Sequence, residues 1–507
     1  MSTASLIGLE QAGTRGMRKK GRHEIMKVCV IGLGYIGFPT ACVMAEAGHE
    51  VLGVDVNTDL IEQLSNGVLH IVNEAGLTEL AQRVLSLGHL RVSKRPAVSD
   101  VFVIAVPTPL RDHSSATNRP FTKRDLSAAE HGGMRQLDEF CLEIQAIADT
   151  ADLASLGVSP FPTADLSYVE HAVQSIASFV KPGGLVILES TVPPGTTTDV
   201  VCSTLQSETG LDCAMDILVA HAPERVLPGD ILRELRSNDR IVGGVSPEAT
   251  QRAVEFYRTF VTGSIVGTDA TTAETVKLME NTFRDVNIAL ANEFALIAEQ
   301  LGVNVFDAID LANRHPRVSF LRPGPGVGGH CIAVDPYFIM QSAPEQAQLI
   351  RMAREVNSGM PSHVLTLLDM LVEEATRVGK HVHTVGLLGA SYKPNVGDER
   401  ESLALRIADL ARNRGYDVII HDPYIERYSK ASVDQIVLEA DILVMITDHD
   451  VYRAQITPSR VRNIVPGSLP WILDTRGFFD QCWDTEGYRV KRLGVGERLE
   501  ALYCARE

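Results

Sequence analysis

The segment that most restricts how this chain can fold is a strand, a glycine turn and a second strand near the N-terminus. Lys27-Val28-Cys29-Val30-Ile31 is a short, mostly apolar run of the kind buried on both faces of a parallel sheet, and it enters Gly32-Leu33-Gly34-Tyr35-Ile36-Gly37 directly. A helix-compatible stretch to about Ala47 follows, and then the strand-like Val51-Leu52-Gly53-Val54-Asp55. This spacing predicts a βαβ unit that binds a dinucleotide. Gly32 permits the tight turn, Gly34 admits a pyrophosphate, Gly37 lets helix pack on strand, and the helix N-terminus faces the anion, with Tyr35 and Ile36 completing the loop. Asp55 lies 18 residues beyond Gly37, where a carboxylate accepts hydrogen bonds from the adenosine ribose hydroxyls. No Arg or Lys follows closely to receive a 2′-phosphate, so the expected cofactor is NAD.

A chain of 507 residues exceeds one ordinary core, at roughly 100–200 residues per domain. Further strands are legible at Val101–Val106, running into Pro107-Thr108-Pro109, and at Leu185–Leu188, running into Glu189-Ser190-Thr191. Parallel sheets bind ligands at the carboxyl ends of their strands, which places Thr108 and Thr191 beside the cofactor. Residues 110–165 between them are polar and irregular, and read as a functional lid or a mobile insert. A long amphipathic helix is predicted over Thr272–Gly302, followed by a Gly/Pro-rich loop from Arg322 to Gly329 and helix to about Arg377. A second α/β unit then shows strands at Thr384–Leu388, Val418–His421, Ile442–Ile446 and Ile472–Asp474. The expected architecture is α/β: two Rossmann-like, doubly wound domains, 26–222 and 379–507, joined by a long central helix and a helical middle domain, 223–378. The first 25 residues carry Arg18-Lys19-Lys20 and Arg22 but no apolar core like that of a signal peptide, and read as a disordered lead before an alternative start at Met26.

The net charge of −17 argues against nucleic acid as a partner, because phosphate contacts need clustered Lys and Arg. No apolar run approaches the roughly 18–20 residues that span a bilayer, so no membrane partner is expected. Eight cysteines, at 29, 42, 141, 202, 213, 331, 482 and 504, include no CxxC pair. They read as reduced thiols of a cytoplasmic enzyme, with neither a disulfide frame nor a metal site.

One of those cysteines stands apart. In Gly328-Gly329-His330-Cys331-Ile332-Ala333-Val334-Asp335-Pro336 the thiol lies in a glycine-rich loop with a carboxylate four residues on, whereas a cysteine that only fills a core more often sits in an apolar run. Gly324, Gly326, Gly328 and Gly329 are expected to let backbone approach a ligand closely. On the long helix, Lys277, Asn281 and Arg284 share a face by i, i+4, i+7 spacing, as either a solvated stripe or part of a site.

With these segments in view, the chain resembles the UDP-glucose/GDP-mannose dehydrogenase family from about Met26 to about Gly477. The resemblance rests on the Gly32–Gly37 loop, Glu189-Ser190-Thr191-Val192-Pro193-Pro194-Gly195, Ala222-Pro223-Glu224-Arg225, Lys277-Leu278-Met279-Glu280-Asn281, the Cys331 loop and Tyr392-Lys393-Pro394-Asn395. It implies four-electron oxidation of a sugar primary alcohol at C6 to a carboxylate, with two NAD consumed and Cys331 holding the aldehyde as a thiohemiacetal that becomes a thioester. Lys277 and Asn281 would stabilise negative charge on O6 and touch the substrate, Asp335 and Thr191 would position the hydrolytic water, and Glu224 would accept a proton. Two departures mark the subgroup. Pro228 stands where glucose-type members carry a second carboxylate, and Val334 where they carry Lys. The segments Pro223–Gly229, Asn281–Asn287 and Ala312–Val318 look instead like the UDP-N-acetylmannosamine dehydrogenases of bacterial surface polysaccharide synthesis. That resemblance assigns Arg225, Val226, Arg284, His315, Arg317, Gly328 and Lys393 to the UDP-sugar, Arg400 to NAD, and a homodimer or higher homo-oligomer to the assembly. The alternatives are UDP-N-acetylglucosamine, UDP-N-acetylgalactosamine or UDP-glucose as substrate, or a non-catalytic NAD-binding scaffold. The 110–165 stretch has no counterpart in the resemblance.

Overall fold

The computed structural model describes residues 24–71, 74–111, 161–213, 215–226, 229–465, 467 and 469–496. Pro228, nearly all of the N-terminal lead and most of the 110–165 stretch therefore lie outside the described residues. Near the N-terminus the strands are β1 (Lys27–Ile31), β2 (Glu50–Val54), β3 (Leu90–Ser93), β4 (Val101–Ile104), β7 (Leu185–Leu188), β8 (Leu218–His221), β9 (Arg240–Gly244) and β10 (Ile265–Asp269). They form one sheet in the order β10-β9-β8-β7-β4-β1-β2-β3, parallel except where β9 runs against β8. The middle strands β4 and β7 are buried at every residue, which is why they read as unbroken apolar runs. Because β1 has β2 on one side and β4 on the other, a crevice opens at its carboxyl end, at Gly32–Gly37. Helix α1 (Gly37–Glu46) starts there and buries nine residues against the sheet.

The first sheet does not stop at the expected boundary of 222. It continues through β9 and β10 to Asp269, with α2 (Pro247–Tyr257) between them. These strands lack an apolar run: β9 begins with Arg240, and β10 holds no buried residue. Two further strands, β5 (Leu110–Arg111) and β6 (Thr163–Ala164), pair antiparallel and bring together the ends of the 110–165 stretch, with an Arg111–Asp165 ion pair at 2.6 Å.

The C-terminal sheet comprises β11 (Thr384–Leu388), β12 (Asp417–His421), β13 (Ile442–Met445), β14 (Trp471–Asp474) and β15 (Val490–Arg492), all parallel, in the order β12-β11-β13-β14-β15. Its switch point lies beyond β11, where Tyr392 and Lys393 follow. Between the sheets run α3 (Ala270–Leu301), α4 (Asp335–Ser342) and α5 (Gln348–Arg377). Asp269 caps α3 by accepting from Thr272 N–H, and Gly302 ends it in the left-handed conformation. Among the described residues no helix is long and apolar enough to cross a membrane.

A buried polar chain joins α3 to α5. Arg354 Nη1 donates to Asp285 Oδ1 at 2.6 Å, and Asn357 Nδ2 donates to the same oxygen at 2.8 Å. Asn292 Nδ2 donates to Asn357 Oδ1, while its own Oδ1 accepts from Gly324 N–H, both at 2.9 Å. Removing one member leaves a charge buried without its partner, which is far worse than removing both. Arg354→Ala is therefore expected to cost about 3–5 kcal/mol, seen as a lower urea midpoint, and the pair Asp285→Leu/Arg354→Met to cost less than Arg354→Ala alone.

Candidate active site

The glycine turn separates into two jobs. A Cβ added to Gly32, which sits at φ +92°, would meet the Ala105 carbonyl oxygen at 2.5 Å, and one on Gly37 would meet that of Gly32 at 2.0 Å. One on Gly34 would meet nothing within 4 Å. Gly32 and Gly37 thus let protein pack on protein, and Gly34 faces the open space that a pyrophosphate needs. Asp55 accepts from Leu33 N–H and Asn57 N–H, both at 2.8 Å, so its carboxylate is fixed at the end of β2 beside the loop. This cradle fits NAD. The Tyr35 hydroxyl is turned into the protein, donating to buried Glu74, whose oxygens also accept from Gly229 N–H at 2.7 Å and Ile231 N–H at 3.1 Å. The strand ends meet: Thr108 Oγ1 donates to the Thr191 carbonyl oxygen at 2.7 Å.

Cys331 reaches solvent, and Asp335, at the start of α4, is buried behind it. Asn281 Nδ2 donates to Asp335 Oδ2 at 2.6 Å, and the Asp335 N–H donates to the Cys331 carbonyl oxygen at 2.9 Å. Burial pushes the Asp335 carboxyl up to about 6, against the opposing pull of Lys277 and Asn281. Desolvation, then the Asp335 charge, hold the Cys331 thiol above its ordinary value, while Lys277 and Arg400 favour the thiolate. Cys331, Asp335, Asn281 and Lys277 therefore form one electrostatic group. His330 belongs to its edge: its pKa is lowered by burial and by Arg400 and Lys277, with Asp398 acting against them, and its ring meets Tyr392 edge-on at 6.5 Å. Arg400 comes from the C-terminal domain, held by a two-pronged bond to Asp398.

The glycines before Cys331 have a packing reason on their Cβ side. A Cβ on Gly324 would strike Arg476, on Gly326 the Asn357 carbonyl, on Gly328 the Glu401 carbonyl, and on Gly329 the Tyr392 ring, each within 2.8 Å. They are small so that α5 and the C-terminal domain can press on the loop.

Other expected residues are placed unevenly. Glu224 accepts from Arg225 N–H at 2.7 Å and from the Arg240 guanidinium, which fix its carboxylate. Arg225 pairs with Glu280 of α3 at 2.5 Å, and Val226 packs on the first core. Arg284 is exposed on α3, and its charge acts on Tyr392 next to Lys393. His315 and Arg317 stand exposed on a turn beyond the helix Val305–Ala312, with Arg317 N–H donating to His315 Nδ1 at 3.4 Å, apart from the Cys331 group. Glu274 was not foreseen. Three residues before Lys277, it is buried and accepts from Gly195 N–H at 2.6 Å, Thr197 N–H at 2.7 Å and Thr197 Oγ1 at 2.6 Å, joining α3 to the loop that carries Thr191. Its spacing from Lys277 was the available signal.

Family models of the UDP-glucose/GDP-mannose dehydrogenases match three regions: the NAD binding domain at 26–132 and 134–261, the central domain at 271–359, and the UDP binding domain at 386–481. The two parts of the first match meet within the 110–165 stretch. The UDP-N-acetyl-D-mannosamine dehydrogenase of Methanococcus maripaludis is 40% identical over 484 residues, covering 95% of this chain and 100% of that protein. The NDP-N-acetyl-D-galactosaminuronic acid dehydrogenase of Ralstonia nicotianae is 40% identical over 472 residues, covering 90% and 97%. The solved structure of the UDP-D-ManNAc dehydrogenase from Pyrococcus horikoshii aligns with a TM-score of 0.77 at 39% identity, covering 93% of this chain and all of that one. The Asp55 geometry yields a direct expectation. Asp55→Ala should raise KM for NAD by the equivalent of about 1.5–3 kcal/mol and leave KM for the second substrate nearly unchanged, and equal effects on both would instead indicate loss of the domain.

Proposed function

Since this chain belongs to the UDP-glucose/GDP-mannose dehydrogenase family and is an NAD-dependent UDP-sugar dehydrogenase, we propose that it oxidises UDP-N-acetyl-D-mannosamine at C6 to the uronate, for surface polysaccharide synthesis, through a covalent bond to Cys331. The observation that carries this reading is the convergence of Cys331, Asp335, Asn281 and Lys277 from the loop, α4 and α3. NAD supplies the hydride acceptor, one equivalent for each oxidation. The alcohol gives up a hydride and its hydroxyl proton, the latter to Glu224, and leaves an aldehyde. The sulfur of Cys331 adds to the carbonyl carbon, and the oxygen that gains charge is met by Lys277 and Asn281. Loss of a second hydride leaves a thioester. Water positioned by Thr191 and Asp335 attacks it, the C–S bond breaks, and the thiol and carboxylate are released.

Val334, where glucose-type members carry Lys, packs on an apolar cluster with Leu278 and Phe338. The equal identity of the Ralstonia enzyme keeps UDP-N-acetylgalactosamine as the second reading. NADH formation with UDP-N-acetylmannosamine, -glucosamine and -galactosamine side by side decides between them, at two NADH per acid.

The assembly is read as a homodimer. Met279, Phe283, Leu290, Phe294, Ile297 and Leu301 form an exposed apolar stripe along α3, an unusual exposure for a helix otherwise packed against α5. The turn bearing His315 and Arg317 rests on that face through Phe320 against Phe294, which supports a role for these two side chains at a neighbouring copy's substrate. Among the described residues the cysteines are unpaired, which fits a reducing, cytoplasmic setting.

Cys331→Ser should still bind NAD and UDP-sugar but lose acid formation by ~10³-fold or more, since a serine alkoxide is a poor substitute for the thiolate. Near-normal turnover would show that the thiol is structural. Asp335 adds a pH test. Protonated below about 6, it cannot accept a proton from water, so the hydrolytic rate should fall as pH drops through that value. Asp335→Asn should be slow and flat across the same range, and an unchanged acid limb in it would exclude Asp335 from this step.

A further inference from the structure

Behind Glu224 lies a buried charged cluster that the chemistry above does not use. The antiparallel register pairs Ala220 with Gly244 and His221 with Gly243, and carried three residues further it sets Glu224 opposite Arg240. On the other side of β8, Leu188 pairs with His221, so Glu189 emerges at the same end of the sheet. The Arg240 and Glu189 side chains are 4% and 0% exposed, and that of Glu224 7%. Arg240 Nη2 donates to Glu224 Oε2, whereas Nη1 stops 3.7 Å from Glu189 Oε1. Tyr257 on α2 donates its hydroxyl to Glu189 Oε1 at 2.6 Å and lies under the guanidinium, 4.7 Å from its centre. Arg240 Nη1 and Glu189 Oε2 have no hydrogen-bond partner among the described residues.

One cation therefore faces two carboxylates out of water, and it is committed to only one of them. Two buried negative charges against one positive would leave an uncompensated ion, which costs several kcal/mol. A neutral Glu189 removes that cost and leaves Glu224 as the sole anion. The groups acting on Glu189 are Arg240 on β9, Glu224 beyond β8 and Tyr257 on α2. Burial is the largest influence and lifts the Glu189 carboxyl to about 7; Arg240 pulls it down, Glu224 pushes it up, and Tyr257 pulls it down.

We propose that Arg240 is a positioning residue that fixes the Glu224 carboxylate for proton acceptance, and that Glu189 stands behind it as a neutral acid so that the cluster carries no net charge. This rests on the reading of Glu224 as proton acceptor. Arg240 touches neither substrate nor cofactor in this scheme. Its planar guanidinium matters, because a lysine would keep the charge but lose the stacking over Tyr257 that aims Nη2 at Glu224.

The test uses full-length Arg240→Lys, Glu189→Gln, Glu189→Ala and Glu224→Gln enzymes. Arg240→Lys is expected to lower kcat about 30-fold or more with both KM values within about twofold, the pattern of an interaction that counts in the transition state. Glu189→Gln, which imitates the neutral acid, should keep kcat within about twofold of wild type, whereas Glu189→Ala should lower it about tenfold. Infrared difference spectra at pH 6 should show a carboxylic acid C=O band in wild type that Glu189→Gln lacks. Stability supplies an independent sign. With its folded pKa above the unfolded one, Glu189 makes wild type lose stability as pH rises from about 4.5 to about 7, and Glu189→Gln should lose less over that window. If Glu189→Gln is as damaged as Glu189→Ala and the band is absent, Glu189 works ionised and the proposal fails. If Arg240→Lys lowers only the melting temperature and leaves kcat intact, Arg240 is merely structural and the proposal fails. An active Glu224→Gln enzyme would overturn the proton-acceptor reading itself, and is told apart by that variant alone.

Discussion

The arrangement depends on a line of buried polar side chains along one helix. Glu274, Asn281, Asp285 and Asn292 all lie inside the protein on α3, where a polar group without a partner costs about 1–3 kcal/mol. They are bonded from three sides: Glu274 by the loop after β7, Asn281 by Asp335 on α4, Asp285 by Arg354 and Asn357 on α5, and Asn292 by the same Asn357 and by Gly324. Apolar packing alone tolerates small slides between helices, whereas directional hydrogen bonds do not. Lys277 lies between Glu274 and Asn281, so its position relative to Thr191 and Cys331 is set by the same bonds.

The C-terminal domain completes the thiol's surroundings. Tyr392 and the Glu401 carbonyl press on Gly329 and Gly328, and Arg400, oriented by Asp398, places a cation near Cys331. Desolvation and Asp335 favour its neutral form, and two cations from different domains favour the thiolate; the first pair prevails and holds the thiol above its ordinary value.

Legibility in the sequence followed burial. Strands β1, β7 and β11 stand where the apolar runs put them, because a strand covered on both faces leaves no polar residue to blur the signal. The strands β9 and β10 were not visible for the opposite reason, and the first domain was drawn too short as a result. At the site, the Gly32–Gly37 loop, Asp55 and the pairing of Cys331 with Asp335 could be read from local spacing. Glu74, Glu274 and the Arg240 cluster could not, since each is defined by a partner far along the chain, as with Tyr257 and Glu189, 68 residues apart.

By itself, then, the sequence determined that a dinucleotide is held at the end of β1, that its cofactor is NAD, and that a loop cysteine stands four residues before a carboxylate. These are properties of short segments, whose spacing dictates backbone geometry wherever they occur. Only the tertiary structure decided which glycine faces open space and which faces protein, which buried carboxylate is bonded to Arg240, and which charges reach the thiol. Those outcomes depend on desolvation and on contacts between distant segments, and neither is encoded in the spacing of any one of them.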